Sequence, residues 1–116
     1  MRVPNIVRAK VPRRKITDYL LSTTHRTGRA KAAFFMRFGF RSDHWRVLAQ
    51  ALREHGKRHE TVKVEPTPFG TRYTVDGALD APDGRRPRVR TVWFIERGET
   101  VPHLTTAYPR GGRLES

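Results

Sequence analysis

The chain changes its hydrophobic period at Gly56, and no other feature of the sequence constrains its fold as much. Before Gly56 the apolar residues recur at helical spacing. After it they alternate, as in strands. Ile16, Tyr19 and Leu20 predict a short first helix over residues 13 to 22, with Pro12 suited to its first turn. The stretch from Thr23 to Phe40 feeds a central helix that ends at Gly39. Ser42 or Asp43 caps a third helix, with Trp45, Leu48, Ala49 and Leu52 as its buried face and Gly56 as its stop. Ahead of these, Met1 to Val11 reads as an extended lead-in with Val3, Ile6, Val7, Ala9 and Val11 as apolar anchors.

Beyond Gly56, Thr61 to Glu65 alternates weakly, whereas Phe69, Thr71, Tyr73, Val75 and Leu79 alternate well. Ala81-Pro82-Asp83-Gly84 is a turn signal. Arg88 to Glu96 is the best strand, with Val89, Thr91, Trp93 and Ile95 on one face and Arg90, Val92 and Phe94 on the other. Arg97-Gly98-Glu99 turns the chain into a last strand, Val101 to Tyr108, closed by Pro109-Arg110-Gly111-Gly112. Alternation in that strand puts Leu104, Thr106 and Tyr108 on one face and His103, Thr105 and Ala107 on the other. The expected class is α+β: about three N-terminal helices packed on one face of a C-terminal antiparallel meander of about four strands. The length suits one domain over residues 1–116, with a helical part (1–57), a sheet (58–110) and a polar tail (111–116).

The central helix carries the chemistry. On a helical wheel Ala30, Phe34 and Phe38 share one side, flanked by Phe35, and Lys31 falls within that stripe. Ala32, Ala33 and Met36 make the back apolar too, so the helix is expected to be buried nearly all round. A cation inside an aromatic stripe is costly unless it has a partner or reaches water. The N-terminal turn then brings His25, Arg26, Arg29 and Lys31 to one place, at a helix end suited to an anion.

Charge narrows the partners. Lys and Arg number 24 against 11 acidic residues, a net charge of +13 and a pI near 11.5. Such an excess points to an anionic partner: nucleic acid first, an acidic protein second, a membrane surface third. There is no cysteine, which excludes disulfides and thiolate sites. No apolar run approaches the roughly 20 residues that span a bilayer, and no signal-peptide core is visible. His55 and His59 are four residues apart, but no acid is placed to complete a metal site, and no phosphate-cradling Gly-rich loop occurs. No metal or cofactor is expected.

What remains is basic chemistry, and a ribonuclease needs little more. A base takes the 2′-OH proton, an acid protonates the leaving 5′-oxygen, and a cation stabilises the phosphorane. His25 suits either proton role, Lys31 or Arg29 the charge. Thr105, Thr106 and Tyr108 of the last strand add hydroxyls.

Four stretches carry a resemblance. They are Lys15-Ile16-Thr17-Asp18-Tyr19-Leu20-Leu21, His25…Gly28-Arg29-Ala30-Lys31-Ala32…Phe34-Phe35…Gly39-Phe40, and Arg90-Thr91-Val92-Trp93 with Leu104-Thr105-Thr106-Ala107-Tyr108-Pro109. The chain resembles, over nearly its whole length, a family of small bacterial domains without an assigned function. More distantly it is similar to the barnase–EndoU–colicin–RelE superfamily of toxin ribonucleases. That resemblance implies metal-independent RNA cleavage, with tRNA among the candidate substrates, and an acidic antitoxin or immunity protein as partner. It implies action in the cytoplasm, delivery within a larger secreted toxin being open. The EndoU-like site carries over as His25, Lys31, Thr106 and Tyr108. Arg26, Arg29, Arg90 and Thr91 are the residues expected to bind substrate. The second histidine of that site has no clear counterpart. His44 sits beside a helix cap and His103 on the strand face opposite Thr106, so Arg29 or Tyr108 is left to fill the role.

Overall fold

Arg13 opens the first helix directly after Pro12, whose fixed φ of −61° presets the entry. The structure, a computed structural model, describes residues 1–110; the tail assigned to 111–116 and the end of the closing Pro-Arg-Gly-Gly turn lie outside them. Helix α1 runs over Arg13–Lys15 and continues as a π-helical turn, Ile16–Leu20. Helix α2 spans Arg29–Arg37 and α3 spans Trp45–Arg58, entered through a 3₁₀ turn at Ser42–His44. Four strands follow: β1 (Thr61–Thr67), β2 (Gly70–Ala78), β3 (Arg88–Glu96) and β4 (His103–Pro109). They form an antiparallel meander in the order β1-β2-β3-β4. The α+β arrangement expected from the change of period is the one found.

Helix α3 packs on the sheet through a polar network set in an apolar core. The Trp93 Nε1–H donates to Thr91 Oγ1 at 2.8 Å, and the Thr91 hydroxyl lies 3.1 Å from His55 Nδ1. On the other side of the ring, His55 Nε2 lies 2.8 Å from the Val89 carbonyl and 3.1 Å from that of Gly77. A neutral imidazole with its hydrogen on Nε2 satisfies every member: Thr91 donates to Nδ1, and Nε2–H donates to the two carbonyls. Such complete satisfaction is what a buried polar group requires. Val75, Leu79, Val89, Leu48 and Leu52 surround the network, each 0% exposed. The lead-in belongs to this core through Val3, Ile6, Ala9 and Val11, while Val7 points outward. Lys10 ties the lead-in to β4: its N–H donates to Pro102 O, and its own carbonyl accepts from Leu104 N–H.

Three expectations are corrected. Gly56 does not stop α3, which runs on to Arg58; a Cβ there would lie 2.9 Å from Ile6 Cδ1 and 3.3 Å from the Trp93 ring, so close packing is what Gly56 provides. Helix α2 is not buried all round. Ala32 and Phe35 face the core, Phe34 and Phe38 are half-buried, and Ala30, Ala33 and Met36 are exposed, because α2 lies beside the edge strand β4 rather than between layers. Its end is as expected: Gly39, at φ 101°, closes a paired motif in which Gly39 N–H reaches Met36 O and Phe40 N–H reaches Phe35 O. Finally, β4 does not alternate throughout. Val92 pairs with Thr106 and Trp93 with Leu104, so Thr105 is an extra residue, a β-bulge. The bulge turns Leu104 and Ala107 together into the core. It leaves His103, Thr106 and Tyr108 on the opposite face, in register with Phe94, Val92 and Arg90.

Candidate functional site

The site grows from the π turn. Leu21 N–H donates to Ile16 O at 2.7 Å, a five-residue step that widens the helix. Ile16 and Leu20 remain in the core at 0% exposure, while Tyr19 is only half-buried and reaches β4. Its hydroxyl lies 2.9 Å from Thr106 Oγ1. The bulge lets both Thr105 and Thr106 line the same cleft as Tyr19.

The loop before α2 supplies the next wall. Ser22 Oγ accepts from the backbone N–H of His25 at 3.1 Å. His25 Nδ1 accepts in turn from the backbone N–H groups of Thr27 (3.1 Å) and Gly28 (3.0 Å). The imidazole thus caps the N–H groups that precede α2, and its hydrogen sits on Nε2, the nitrogen left for a ligand. The ring packs edge-on against Tyr19, centroids 5.0 Å apart. Gly28 permits this closeness: a Cβ there would overlap the Tyr19 carbonyl oxygen. Its φ of −87° suits any residue, so the constraint is packing alone. Gly28→Ala is expected to lower stability by about 1–3 kcal/mol through overpacking, read as a fall of several degrees in melting temperature. Melting at the wild-type temperature would show that the loop has room to spare.

Lys31 stands between two tyrosines. Its Nζ is 5.4 Å from the Tyr19 ring centre, 5.9 Å from that of Tyr108, and 3.4 Å from the Thr27 carbonyl. Lys15 Nζ also sits 5.4 Å from the Tyr19 ring. Cation–π attraction of this kind holds an ammonium without neutralising it. The main cleft has a volume of about 630 Å³ and is lined by Pro12, Arg14, Lys15, Asp18, Tyr19, His25, Thr27, Thr105 and Thr106. Lys31 opens onto an adjoining hollow of about 400 Å³ with Ala30, Tyr108 and Pro109.

His25, Lys31 and Thr106 therefore meet around Tyr19, and Lys31 links them to Tyr108 in the second hollow. The other expected residues divide. Arg26 and Arg29 are exposed, on the turn and at the first residue of α2. Arg90 grips Asp76 bidentately at 2.7 and 2.9 Å, and Arg110 adds 3.2 Å on the same carboxylate. Burial alone would raise the Asp76 carboxyl, but Arg90 and Arg110 together hold it below the usual carboxylate range. Asp76, with a smaller part from the neighbouring Tyr108 hydroxyl, holds Arg90 above its ordinary value. Arg90 stands opposite Tyr108 in the β3–β4 register. Thr91 does not reach the cleft. It is 0% exposed on the core face and spends its hydroxyl on His55 and Trp93. His103 shares the face of Thr106 after all, because of the bulge, but it lines a separate hollow beside Glu96 and Lys10.

Tyr19, Lys15 and Arg14 were not expected here. A π turn leaves no mark on apolar spacing, so the sequence shows Tyr19 only as one of the residues that space the first helix. The one available signal was a hydroxyl-bearing ring on an otherwise aliphatic face. Electrostatics converge on the same place. Residues 1–40 hold ten Lys and Arg and one acid, Asp18. Most acidic side chains elsewhere pair with nearby cations, as in Asp43–Arg41, Asp80–Arg58 and Asp83–Arg85. Among the described residues no three His, Asp or Glu side chains cluster to hold a metal, and no helix is long and apolar enough to cross a membrane.

A meander whose edge strand, helix start and π turn close on a basic, tyrosine-lined cleft defines a small α+β domain. The chain belongs to the family described as domain of unknown function DUF6883, whose model matches residues 2–111. Its backbone is also similar to a chain in the solved structure of a contact-dependent growth inhibition toxin–immunity protein complex from Klebsiella pneumoniae 342. The TM-score is 0.69 at 17% identity, covering 86% of this chain and 98% of that one, a likeness of fold. No curated protein matches the chain.

Proposed function

We propose that the domain is a toxin-like, metal-independent endoribonuclease that cleaves RNA by attack of a ribose 2′-OH on the adjacent phosphodiester. The observation that carries this is the convergence of His25, Lys31 and Thr106 around Tyr19, with Tyr108 on the far side of Lys31, in the most cationic part of the chain. A phosphate in the cleft meets the His25 Nε2–H and the Lys15 and Lys31 ammonium groups. Donors of this kind, fixed before the reaction, stabilise the charge that gathers on a pentacoordinate phosphorus. Arg14, Arg26 and Arg29 supply charge for the flanking phosphates, and Tyr108 offers a face on which a base stacks. The fold likeness to a chain of a toxin–immunity complex supports the toxin part of the reading. With a charge of +13 it also supports an acidic immunity protein as partner and the cytoplasm of a target cell as the place of action.

The test is incubation of the purified protein with total RNA and with tRNA in EDTA. Cleavage is expected to proceed undiminished and to leave 2′,3′-cyclic phosphate ends, and a 2′-deoxy residue at the mapped position is expected to block it. Intact RNA at every ionic strength tried would overturn the reading. A second reading, a non-catalytic RNA-binding module, is favoured by one observation: His25 Nδ1 is already engaged by the backbone N–H groups of Thr27 and Gly28. RNA retained on a filter yet never cut would select it.

A further inference from the structure

We infer that Tyr19 is a catalytic residue, the general acid that protonates the leaving 5′-oxygen. The inference rests on the ribonuclease reading above and names a residue that reading did not require. Three features of the cleft lead to it. First, the histidine that lines the cleft is spoken for: both Thr27 and Gly28 donate to Nδ1, so His25 offers only an Nε2–H hydrogen bond, and giving that proton away would leave an imidazolate. Second, the Tyr19 hydroxyl is a proton donor already positioned at the centre of the site, 2.9 Å from Thr106 Oγ1. Once Tyr19 has lost its proton, the Thr106 hydroxyl turns to donate to the oxygen that remains. Third, the ammonium groups of Lys15 and Lys31 each stand 5.4 Å from the ring. Negative charge that develops at this ring during the reaction lies beside two cations, the kind of differential stabilisation a general acid needs.

The step balances as follows. The 2′-oxygen bonds to phosphorus while its proton passes to a hydroxide ion of the solvent, forming water. The bond from phosphorus to the 5′-oxygen breaks, its electron pair staying on that oxygen, and the Tyr19 hydroxyl gives its proton there. The products are a 2′,3′-cyclic phosphate, a free 5′-hydroxyl and a tyrosinate held by the two lysines. Tyrosinate then takes a proton from water, returning the hydroxide. His25 Nε2–H and Lys31 bond the non-bridging oxygens throughout.

The experiment uses an RNA that the wild-type protein cleaves, resynthesised with sulfur replacing the 5′-oxygen at the cleavage position. A thiolate leaves without needing a proton. Tyr19→Phe is expected to slow cleavage of the oxygen substrate by about 10²- to 10³-fold, as loss of an acid does, and to cleave the sulfur substrate at the wild-type rate. Equal losses on both substrates would make Tyr19 a positioning residue and overturn the inference, with RNA cleavage itself intact. So would full activity of Tyr19→Phe on the oxygen substrate, or a variant that no longer folds by thermal melting. A wild-type protein that cuts neither substrate overturns the ribonuclease reading and this inference with it.

Discussion

Lys31→Ala is expected to slow RNA cleavage by about 10²- to 10³-fold, the cost of removing one pre-placed charge from a phosphoryl-transfer site. The fold should survive. Lys31 is half-buried, and its ammonium contacts two ring faces and one carbonyl oxygen rather than a buried acid. Cation–π contacts of this exposure contribute about 0.5–2 kcal/mol, so melting should fall by several degrees at most. Lys31→Met keeps the packed stem without the charge, and should match the alanine variant in rate while melting between that variant and the wild type. His25→Ala should lose activity on a similar scale by removing the Nε2–H donor, and it also releases the N–H groups of Thr27 and Gly28 into water. Initial rates on one RNA, with melting curves for each protein, separate these effects. Undiminished cleavage by both alanine variants would place the chemistry elsewhere. A Lys31→Ala protein that fails to fold would mean that the lysine serves the core.

The second large effect is expected in acid and belongs to His55. Burial pushes this imidazole down from its ordinary 6.5 to about 4; the carbonyls of Val89 and Gly77 oppose the shift, and neighbouring His59 adds to it. The folded state therefore keeps His55 neutral where the unfolded chain has already taken up a proton. The stabilisation is fully present above pH 6.5, shrinks as pH falls from there, and is gone below about pH 4. Over that window the loss is roughly 3 kcal/mol, about 1.4 kcal/mol per pH unit where the slope is steepest. Urea unfolding at pH 7.5, 6, 5 and 4.5 reads it directly. The carboxylates of Asp76 and Asp80, held low by arginines, lose their contribution at lower pH and do not mimic it. His55→Ala should remove this slope while costing roughly 2–5 kcal/mol outright. It leaves Thr91 and two carbonyls without their partner, and it opens a cavity against Trp93. A stability flat between pH 7.5 and 5 in the wild type would contradict the buried neutral ring.

His55 also shows where spacing misleads. With His59 it forms the one i,i+4 histidine pair in the chain, a pattern that invites a metal. The structure gives each ring a carbonyl partner from the sheet instead: Val89 and Gly77 for His55, Ala78 for His59. Thr91 teaches the same lesson, since its place in a resemblance motif reflects its bonds to His55 and Trp93.

Local pattern alone determined the element order, the meander, the Gly39 helix end and the concentration of basic residues ahead of the sheet. These follow from period, turn chemistry and charge, which act between near neighbours in sequence. Placing His25 and Lys31 at the start of one helix was legible for the same reason. What the tertiary structure alone decided is which side chains meet across the fold. The Thr105 bulge inverts half of β4, bringing His103 to the face of Thr106 and Leu104 to that of Ala107. The π turn takes Tyr19 off the core face and sets its hydroxyl on Thr106, 87 residues away. Each device is a one-residue change of phase. Such a change costs little locally, so apolar spacing does not reveal it, and it is held in place by packing between segments distant in sequence.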